Sequence, residues 1–387
     1  MREDVLRRFR VHVAGPSLDD VENALRAAIE ERERTQPGQA RVLEVRRVER
    51  PLMLEVQLRG AAPALSRVVA RVAGVPGARI LRDLVGLPAD APRGRVYPDP
   101  EPLLRMSAEP DPLTERAPPA ARPVTVAIVD SGIAVDHPDL KDHLWTGTVA
   151  GRRVHGARCI GEKRDHDVAD EDGHGTLLAG TILATARRAP TVQLMAVKFF
   201  DGATRPAAAN AARAIDFAID HGADIIDLSW DLGIDAPEVR QAIQGACAAG
   251  RLVVIAAGND GSNNDRFPSV PACYAAECPE SALTVMATNR YDERAWFSNY
   301  GDLSVDLAAP GVGSVSTYPF LSNAPEGRRY HRYSGTSAAS AHVTGAAALV
   351  MSRAPHLTAK ELKARLVGSV DPLPDLRCRS GGRLRLD

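Results

Sequence analysis

The chain of 387 residues has few lysines, almost no net charge, few cysteines and no long apolar run. Lysine occurs at five positions, Lys141, Lys163, Lys198, Lys360 and Lys363, in a sequence rich in Ala and Arg. That bias reads as the codon usage of a GC-rich bacterium and not as a functional signal. A net charge of −1 supplies no global field for nucleic acid or an anionic membrane, so neither is expected as a partner. Met1-Arg2-Glu3-Asp4 leads into Arg7-Arg8 without an apolar segment, which does not resemble a secretory signal. No apolar run approaches the roughly 18 residues of a membrane helix. The expected location is therefore cytoplasmic. The five cysteines, Cys159, Cys247, Cys273, Cys278 and Cys378, are odd in number. Without a signal segment they are expected to be free thiols, although Cys273 and Cys278 could close one small loop if oxidised. Two cysteines make a poor zinc site, and no metal there is expected. There is no internal repeat.

What is present is an ordinary globular composition, 44% hydrophobic and 25% charged, long enough for one large core and a smaller unit. Residues 1–85 read as that smaller unit. Phe9 to Val13 alternates as a strand does. Ser17 is a plausible N-cap for a helix carrying Val21, Leu25, Ala28 and Ile29. Arg41 to Val48 and Leu52 to Leu58 read as two strands joined by a turn at Glu49-Arg50-Pro51. A second helix over Leu65 to Val72 and a strand from Ala78 to Leu81 complete a β-α-β-β-α-β order, which predicts a small α+β ferredoxin-like domain. Residues 86–122 are rich in Pro with Asp, Glu and Arg between, as in an extended linker.

From residue 123 to 387 the pattern is α/β. Val124 to Val129 is a continuous apolar run, as expected of a buried parallel strand. Leu194 to Val197, Ile225 to Leu228, Val253 to Ala256 and Leu283 to Val285 repeat the pattern. Helices are expected over Ala207 to His221 and Glu238 to Ala249. The assembly predicted is a parallel sheet with helices on both faces.

Four segments of this region carry reactive side chains. Asp130 ends the first apolar strand in Val126-Ala127-Ile128-Val129-Asp130-Ser131-Gly132, where catalytic groups gather in such sheets. A buried carboxylate there can hold an imidazole in one tautomer. His174, in Asp172-Gly173-His174-Gly175-Thr176, stands just before a helix expected over Thr176 to Ala186. Its small neighbours let the ring face a cleft as general base, then acid. Asn259 follows a buried strand in Ala256-Ala257-Gly258-Asn259. Ser337, in Gly335-Thr336-Ser337-Ala338, precedes an Ala- and Gly-rich helix over Ala338 to Met351, whose N-terminus favours developing negative charge at a nucleophilic hydroxyl. Singly, each is as readily a cap or a turn. Together they supply a carboxylate, an imidazole, an amide and a hydroxyl on fitting elements.

Over residues 123–387 the chain resembles the subtilisin family of serine peptidases (subtilases), for which the order Asp, His, Ser along the chain is established. His137-Pro138-Asp139-Leu140, Ala308-Ala309-Pro310-Gly311 and the closing Gly382-Arg383-Leu384-Arg385-Leu386 extend the likeness. The resemblance implies a subtilisin-like fold, a serine endopeptidase working through an acyl-enzyme, Asp130, His174 and Ser337 as the triad, and Asn259 with the Ser337 N–H as oxyanion hole. It places a polypeptide substrate as an extended strand between two edges. One edge is Ser229-Trp230-Asp231-Leu232 and the other lies near Gly202 to Pro206. Ala257 and Gly258 would wall the primary pocket, with Ser269 near its base. Relatives usually carry Gly where Asp231 stands. An acidic rim of Asp231, Asp260 and Asp265 would favour basic residues in the substrate, unless these acids simply face solvent.

Other departures touch packing. Ala338 and Ala341 replace the family's usual Met and Pro, and Leu177-Leu178 follow the His motif in place of His and Val. Asp139 matches one family calcium ligand, but the loop from Ile182 to Pro190 is short, basic and poor in oxygen ligands. No calcium site of that type and no cofactor are expected. The N-terminal pattern looks like a subtilase propeptide, with Arg95 and Arg105 as candidate cutting points. The rival reading is a retained regulatory module answering to a protein partner. Two further alternatives are a non-catalytic or partner-gated peptide-binding scaffold of the same fold, and an esterase using the same triad.

Overall fold

The computed structural model describes the backbone of residues 4–13, 40–48, 53–61 and 78–86, and residues 123–161, 165–187, 189, 191–201, 206–319 and 329–386 in full. The four N-terminal strands are β1 (Asp4–Val13), β2 (Ala40–Val48), β3 (Met53–Ala61) and β4 (Ala78–Gly86). They form an antiparallel sheet in the order β2-β3-β1-β4. This is the order a β-α-β-β-α-β chain reaches when each helix crosses the sheet. Each strand is longer than the sequence pattern marks. The two helices expected over 17–29 and 65–72, and the linker, lie outside the described residues.

The larger unit is built on a nine-stranded sheet with two small hairpins among the described residues. Its chain order is β5 (Val124–Asp130), the hairpin β6 (Gly147–Val149) and β7 (Arg152–Val154), then β8 (Gly156–Arg158) and β9 (Val192–Lys198). β10 (Ile225–Leu228), β11 (Leu252–Ala256), β12 (Ala282–Thr288) and β13 (Leu307–Pro310) follow. A second hairpin pairs β14 (Ser314–Thr317) with β15 (Tyr330–Tyr333), and β16 (Val370–Pro372) and β17 (Gly382–Leu384) close the chain. The sheet order is β16-β17-β13-β12-β11-β10-β5-β9-β8, parallel throughout except at the β16 edge. β5 lies between β9 and β10, so the strand order reverses there. The crevice beyond the carboxyl ends of β5, β9 and β10 is a topological switch point.

Period-two alternation divides β5 between two cores. Val126 and Ile128 face one cluster with Val254, Val285 and Leu307, while Ala127 and Val129 face the other with Val253, Ile255 and Phe217. Helices α2 (Ala208–Asp220) and α3 (Pro237–Ala248) cover the second core. Helices α1 (His174–Thr185), α4 (Thr336–Arg353) and α5 (Ala359–Gly368) cover the first. α4 is buried along nearly its whole length, with Ala338, Ala339, Ala341, Ala346, Ala347 and Ala348 inaccessible to solvent. Small side chains let this helix run between the sheet and α1, where bulkier ones would not fit at interior packing density. Both helix starts shift from the sequence reading. His174 is the first residue of α1, and Thr336 opens α4 with Ser337 second.

The five cysteines are free thiols. Cys278 has Cys247 as its thiol neighbour, and burial pushes it up to about 12. Asp139 accepts a hydrogen bond of 2.7 Å from the Tyr330 hydroxyl. Among the described residues, no helix is long and apolar enough to cross a membrane.

α5 starts on a capping box. Glu361 N–H donates to Thr358 Oγ1 at 3.2 Å, and Thr358 N–H donates to Glu361 Oε2 at 2.9 Å. Replacing Thr358 by Ala removes the cap from the helix that packs Leu362 and Leu366 into the first core. The expected cost is about 1 kcal/mol, read as a lowered urea midpoint. A smaller loss is expected from Glu361→Ala.

Candidate active site

Asp130 closes β5 with its carboxylate wholly buried. Its Oδ1 accepts from the Ser131 N–H at 2.8 Å and from His174 Nδ1 at 2.9 Å. The imidazole edge bearing Nδ1 is thus tied to the sheet, and the ring remains partly exposed. Burial makes this hydrogen-bond geometry consequential. A carboxylate out of water needs donors, and here an imidazole and a backbone amide provide them. The neighbouring loop is held equally firmly. Ser131 Oγ accepts from Gly175 N–H at 2.9 Å, so the residue after Asp130 grips the residue after His174. A side chain at Gly175 would place its Cβ 2.1 Å from the Gly132 carbonyl oxygen, which explains why only glycine allows this approach.

The segment leading to His174 hangs on a second buried acid. Asp170 accepts from the N–H groups of Gly173 (2.8 Å) and Thr176 (2.9 Å) and from Thr176 Oγ1 (2.5 Å). Desolvation holds its carboxyl above the usual range against the pull of these donors. Lys198, buried at the end of β9, donates to the Ala169 carbonyl at 2.6 Å and pairs with Glu171.

Ser337 is 7% exposed on the first turn of α4. The start of that helix is fixed from two sides. Gly335 N–H donates to the Gly311 carbonyl at 2.9 Å, just after β13. Thr336 Oγ1 accepts from Gly258 N–H at 3.2 Å, just after β11. The residue before Ser337 is therefore bonded to the residue before Asn259. Asn259 itself is exposed. Further along, Thr185 Oγ1 meets His342 Nδ1 at 2.8 Å, and Thr181 Oγ1 meets the Tyr333 hydroxyl at 2.8 Å. Burial pushes His342 down to about 3, so it joins α1 and α4 as a neutral ring.

Of the residues expected to meet substrate, Ser229 and Trp230 turn their side chains inward. Ser229 Oγ donates to Asp227 Oδ1 at 2.5 Å, and the Trp230 indole donates to the Val129 carbonyl at 2.8 Å while its ring lies 4.9 Å from Phe199. What these two can offer at an edge is backbone. Ala257 is buried, its carbonyl accepting from Asn264 and Asn299 side-chain amides. Asp231 is exposed and accepts from the Ser269 hydroxyl and, at 2.6 Å, from Gly233 N–H. Asp265, read from sequence as part of an acidic rim, instead caps a loop. Its carboxylate accepts from the N–H groups of Asp302 and Ser304 and from the Ser304 hydroxyl. The edge near Gly202 is not among the described residues.

Sequence reading missed Asp227. It lies in the middle of the apolar strand Ile225-Ile226-Asp227-Leu228, and a lone acid in such a run was the available signal. Its Oδ2 accepts from Thr344 Oγ1 at 2.7 Å and Ser340 Oγ at 3.3 Å, both on the Ser337 helix. Complete burial, then the nearby Asp130 charge, push this carboxyl up to about 6 against the hydrogen bonds that favour its ionised form. Asp170 had no such signal, standing in a run of acids that reads as a solvated loop.

A buried acid with a raised pKa costs stability once it must ionise. Below about pH 4 both folded and unfolded chains hold the proton and no cost arises. Between about 4 and about 6 only the unfolded chain releases it, so stability falls as pH rises, and above about 6 the cost is constant. From 3.8 to about 6 this amounts to about 3 kcal/mol. Asp227→Asn keeps an acceptor for Thr344 and removes the ionisation. In a Ser337→Ala background, its urea stability relative to the parent is expected to rise between pH 4 and 7 by up to about 3 kcal/mol. A difference that does not change with pH would contradict the assignment.

The Subtilase family model matches residues 121–381 of the chain. Subtilisin DY of Bacillus licheniformis is 34% identical over 259 residues, covering 65% of this chain and 85% of that protein. An intracellular serine protease of Paenibacillus polymyxa is 35% identical over 266 residues, covering 65% and 75%. A solved structure of a cold adapted subtilisin-like serine proteinase aligns with a TM-score of 0.58 at 25% identity, over 74% of this chain and 98% of that one. With the match spanning well over half its length and reaching from before Asp130 to beyond Ser337, the chain belongs to the subtilase family of serine endopeptidases.

Proposed function

We propose that Asp130, His174 and Ser337 are the catalytic triad of this endopeptidase. The observation carrying the reading is the 2.9 Å bond from His174 Nδ1 to the wholly buried Asp130 carboxylate, on loops locked together by Ser131 and Gly175. The bond leaves Nε2 to take the Ser337 proton as Oγ attacks the scissile carbonyl. Asp130 stabilises the resulting imidazolium. The tetrahedral oxyanion takes hydrogen bonds from the Asn259 side-chain amide and the Ser337 N–H, whose preceding residues are joined by the Gly258–Thr336 bond. His174 returns the proton to the leaving amine, giving the acyl-enzyme. Water, deprotonated by the same ring, then releases the acid and restores Ser337. The backbone of residues 229–232 would take the substrate as an added strand.

The N-terminal unit would be a propeptide-like domain that restrains the enzyme until it is cut, with a cytoplasmic protein as the setting. The antiparallel β2-β3-β1-β4 sheet and the named intracellular relative from Paenibacillus polymyxa support this pairing. A retained module released by a protein partner is the second reading, and an uncut wild type distinguishes it.

The wild type is expected to label with a fluorophosphonate and Ser337→Ala not to label. Asn259→Ala is expected to lower kcat by about 10²–10³, the loss known for this donor in the family. Intact mass over a day at neutral pH is expected to show wild type cut between about residues 82 and 122, with Ser337→Ala intact. A labelled but uncut wild type would assign the N-terminal unit to retained regulation. An unlabelled wild type would favour a scaffold or a partner-gated enzyme.

A further inference from the structure

Asn259 stands in a short loop whose two ends are held by one other segment, residues 299–300. Before Asn259, the backbone groups of residues 257 and 258 are all bonded. Ala257 N–H donates to the Val285 carbonyl at 2.9 Å, and Gly258 N–H donates to Thr336 Oγ1 at 3.2 Å. The Gly258 carbonyl accepts from Asn299 N–H at 2.9 Å. The Ala257 carbonyl accepts from two side-chain amides, Asn264 Nδ2 at 2.8 Å and Asn299 Nδ2 at 3.1 Å. After Asn259, Ser262 N–H donates to Asn299 Oδ1 at 3.0 Å. The Ser262 carbonyl accepts from Tyr300 N–H at 3.0 Å, and Asn264 N–H donates to the Tyr300 carbonyl at 2.7 Å.

Asn299 thus bonds both ends of the loop, and it is only 1% exposed. Its side chain meets a carbonyl on one side and an N–H on the other, so it has to donate and accept at once. A side-chain amide does both. A carboxylate would keep the Ser262 bond and set its other oxygen against the Ala257 carbonyl. Leucine, of similar size, would take the acceptor from Ser262 N–H and a donor from Ala257. The approach is close as well. A Cβ on Gly258 would stand 2.4 Å from Asn299 Nδ2, and Gly258 has a φ of +105° that disfavours any side chain. Residue 299 is itself tied to β12. Ala287 N–H donates to Ser298 Oγ at 2.8 Å, and Ser298 Oγ donates to the Asn299 carbonyl at 2.9 Å. The sheet therefore holds the Asn259 loop from β11 through the chain and from β12 through Asn299.

An oxyanion-hole donor acts fully only when it already points to where charge develops. A displacement of about 1 Å can cost about 10²-fold in rate. We infer that Asn299 is a positioning residue of the oxyanion hole, clamping both ends of the loop that carries Asn259 and acting on the reaction through that residue. The inference rests on the reading of the triad and Asn259 given above and adds to it the residue that sets the donor in place.

The test is a double-mutant cycle on the mature or full-length enzyme. Both kcat and KM are measured for one peptide substrate after active sites are titrated to completion with a fluorophosphonate, so that unfolded protein does not count. Asn299→Leu is expected to lower kcat by about 10- to 100-fold with KM changed by less than about twofold. Asn299→Asp, which keeps the acceptor for Ser262, is expected to lower it less. In an Asn259→Ala background, either substitution is expected to lower kcat by no more than about threefold, because the donor it would displace is already gone. Equal losses in both backgrounds, or an unchanged kcat, overturn this inference and leave the triad standing. Failure of both variants to give titratable enzyme overturns it too, by assigning Asn299 to folding. An Asn259→Ala enzyme with the wild-type kcat overturns the oxyanion-hole reading and this inference with it. Absence of labelling in the wild type overturns the triad reading and both that depend on it.

Discussion

A carboxylate removed from water at the end of the central strand is the constraint around which the larger unit is arranged. Asp130 has no solvent to fall back on, and its Oδ2 has no hydrogen-bond partner among the described residues. Its charge therefore makes the His174 and Ser131 bonds matter far more than they would at a surface. The imidazole is held by that need, and so is the loop that brings it. Ser131 binds Gly175, Asp170 binds Gly173 and Thr176, and Lys198 binds the carbonyl of Ala169. Each of these bonds fixes a backbone and leaves His174 as the part that faces outward.

The Ser337 side is held by a different logic. α4 has almost no exposed surface before Arg353, and so its position is set by packing from all directions. Packing fixes depth and tilt but is tolerant of small rotations between alanines. Polar pins remove that tolerance. Thr344 and Ser340 bond Asp227 on β10, His342 bonds Thr185 on α1, and Thr336 receives Gly258 after β11. Asp227 serves the helix at a cost, since it is a second acid buried within reach of the Asp130 charge. Its presence fits a general pattern in which polar groups at functional sites give up stability to secure one geometry.

The same economy of side chains governs the edge along residues 229–232. Ser229 and Trp230 are anchors, one to Asp227 and one to Val129, so the segment presents a rigid backbone. Asp231 is the first side chain of the run to face out, and it accepts from the Ser269 hydroxyl.

The sequence alone determined the strands that were continuous apolar runs, the helices between them, and the order of Asp130, His174, Asn259 and Ser337 along the chain. Burial in a parallel sheet demands apolar residues on both faces, and that demand is written locally. It also determined that Asp130 would end a strand and that small residues would surround His174 and Ser337. Tertiary structure alone decided which acids do work. Asp170 and Asp265 lie in polar stretches that read as solvated, yet one organises the His174 loop and the other caps residues 302–304. Asp227 and Asp130 both sit in apolar strands, but partners far along the chain decide that one holds a helix and the other an imidazole. Hydrophobic periodicity is a local property of the chain, whereas the donors that a carboxylate meets depend on contacts between residues more than a hundred positions apart, as between Asp227 and Thr344.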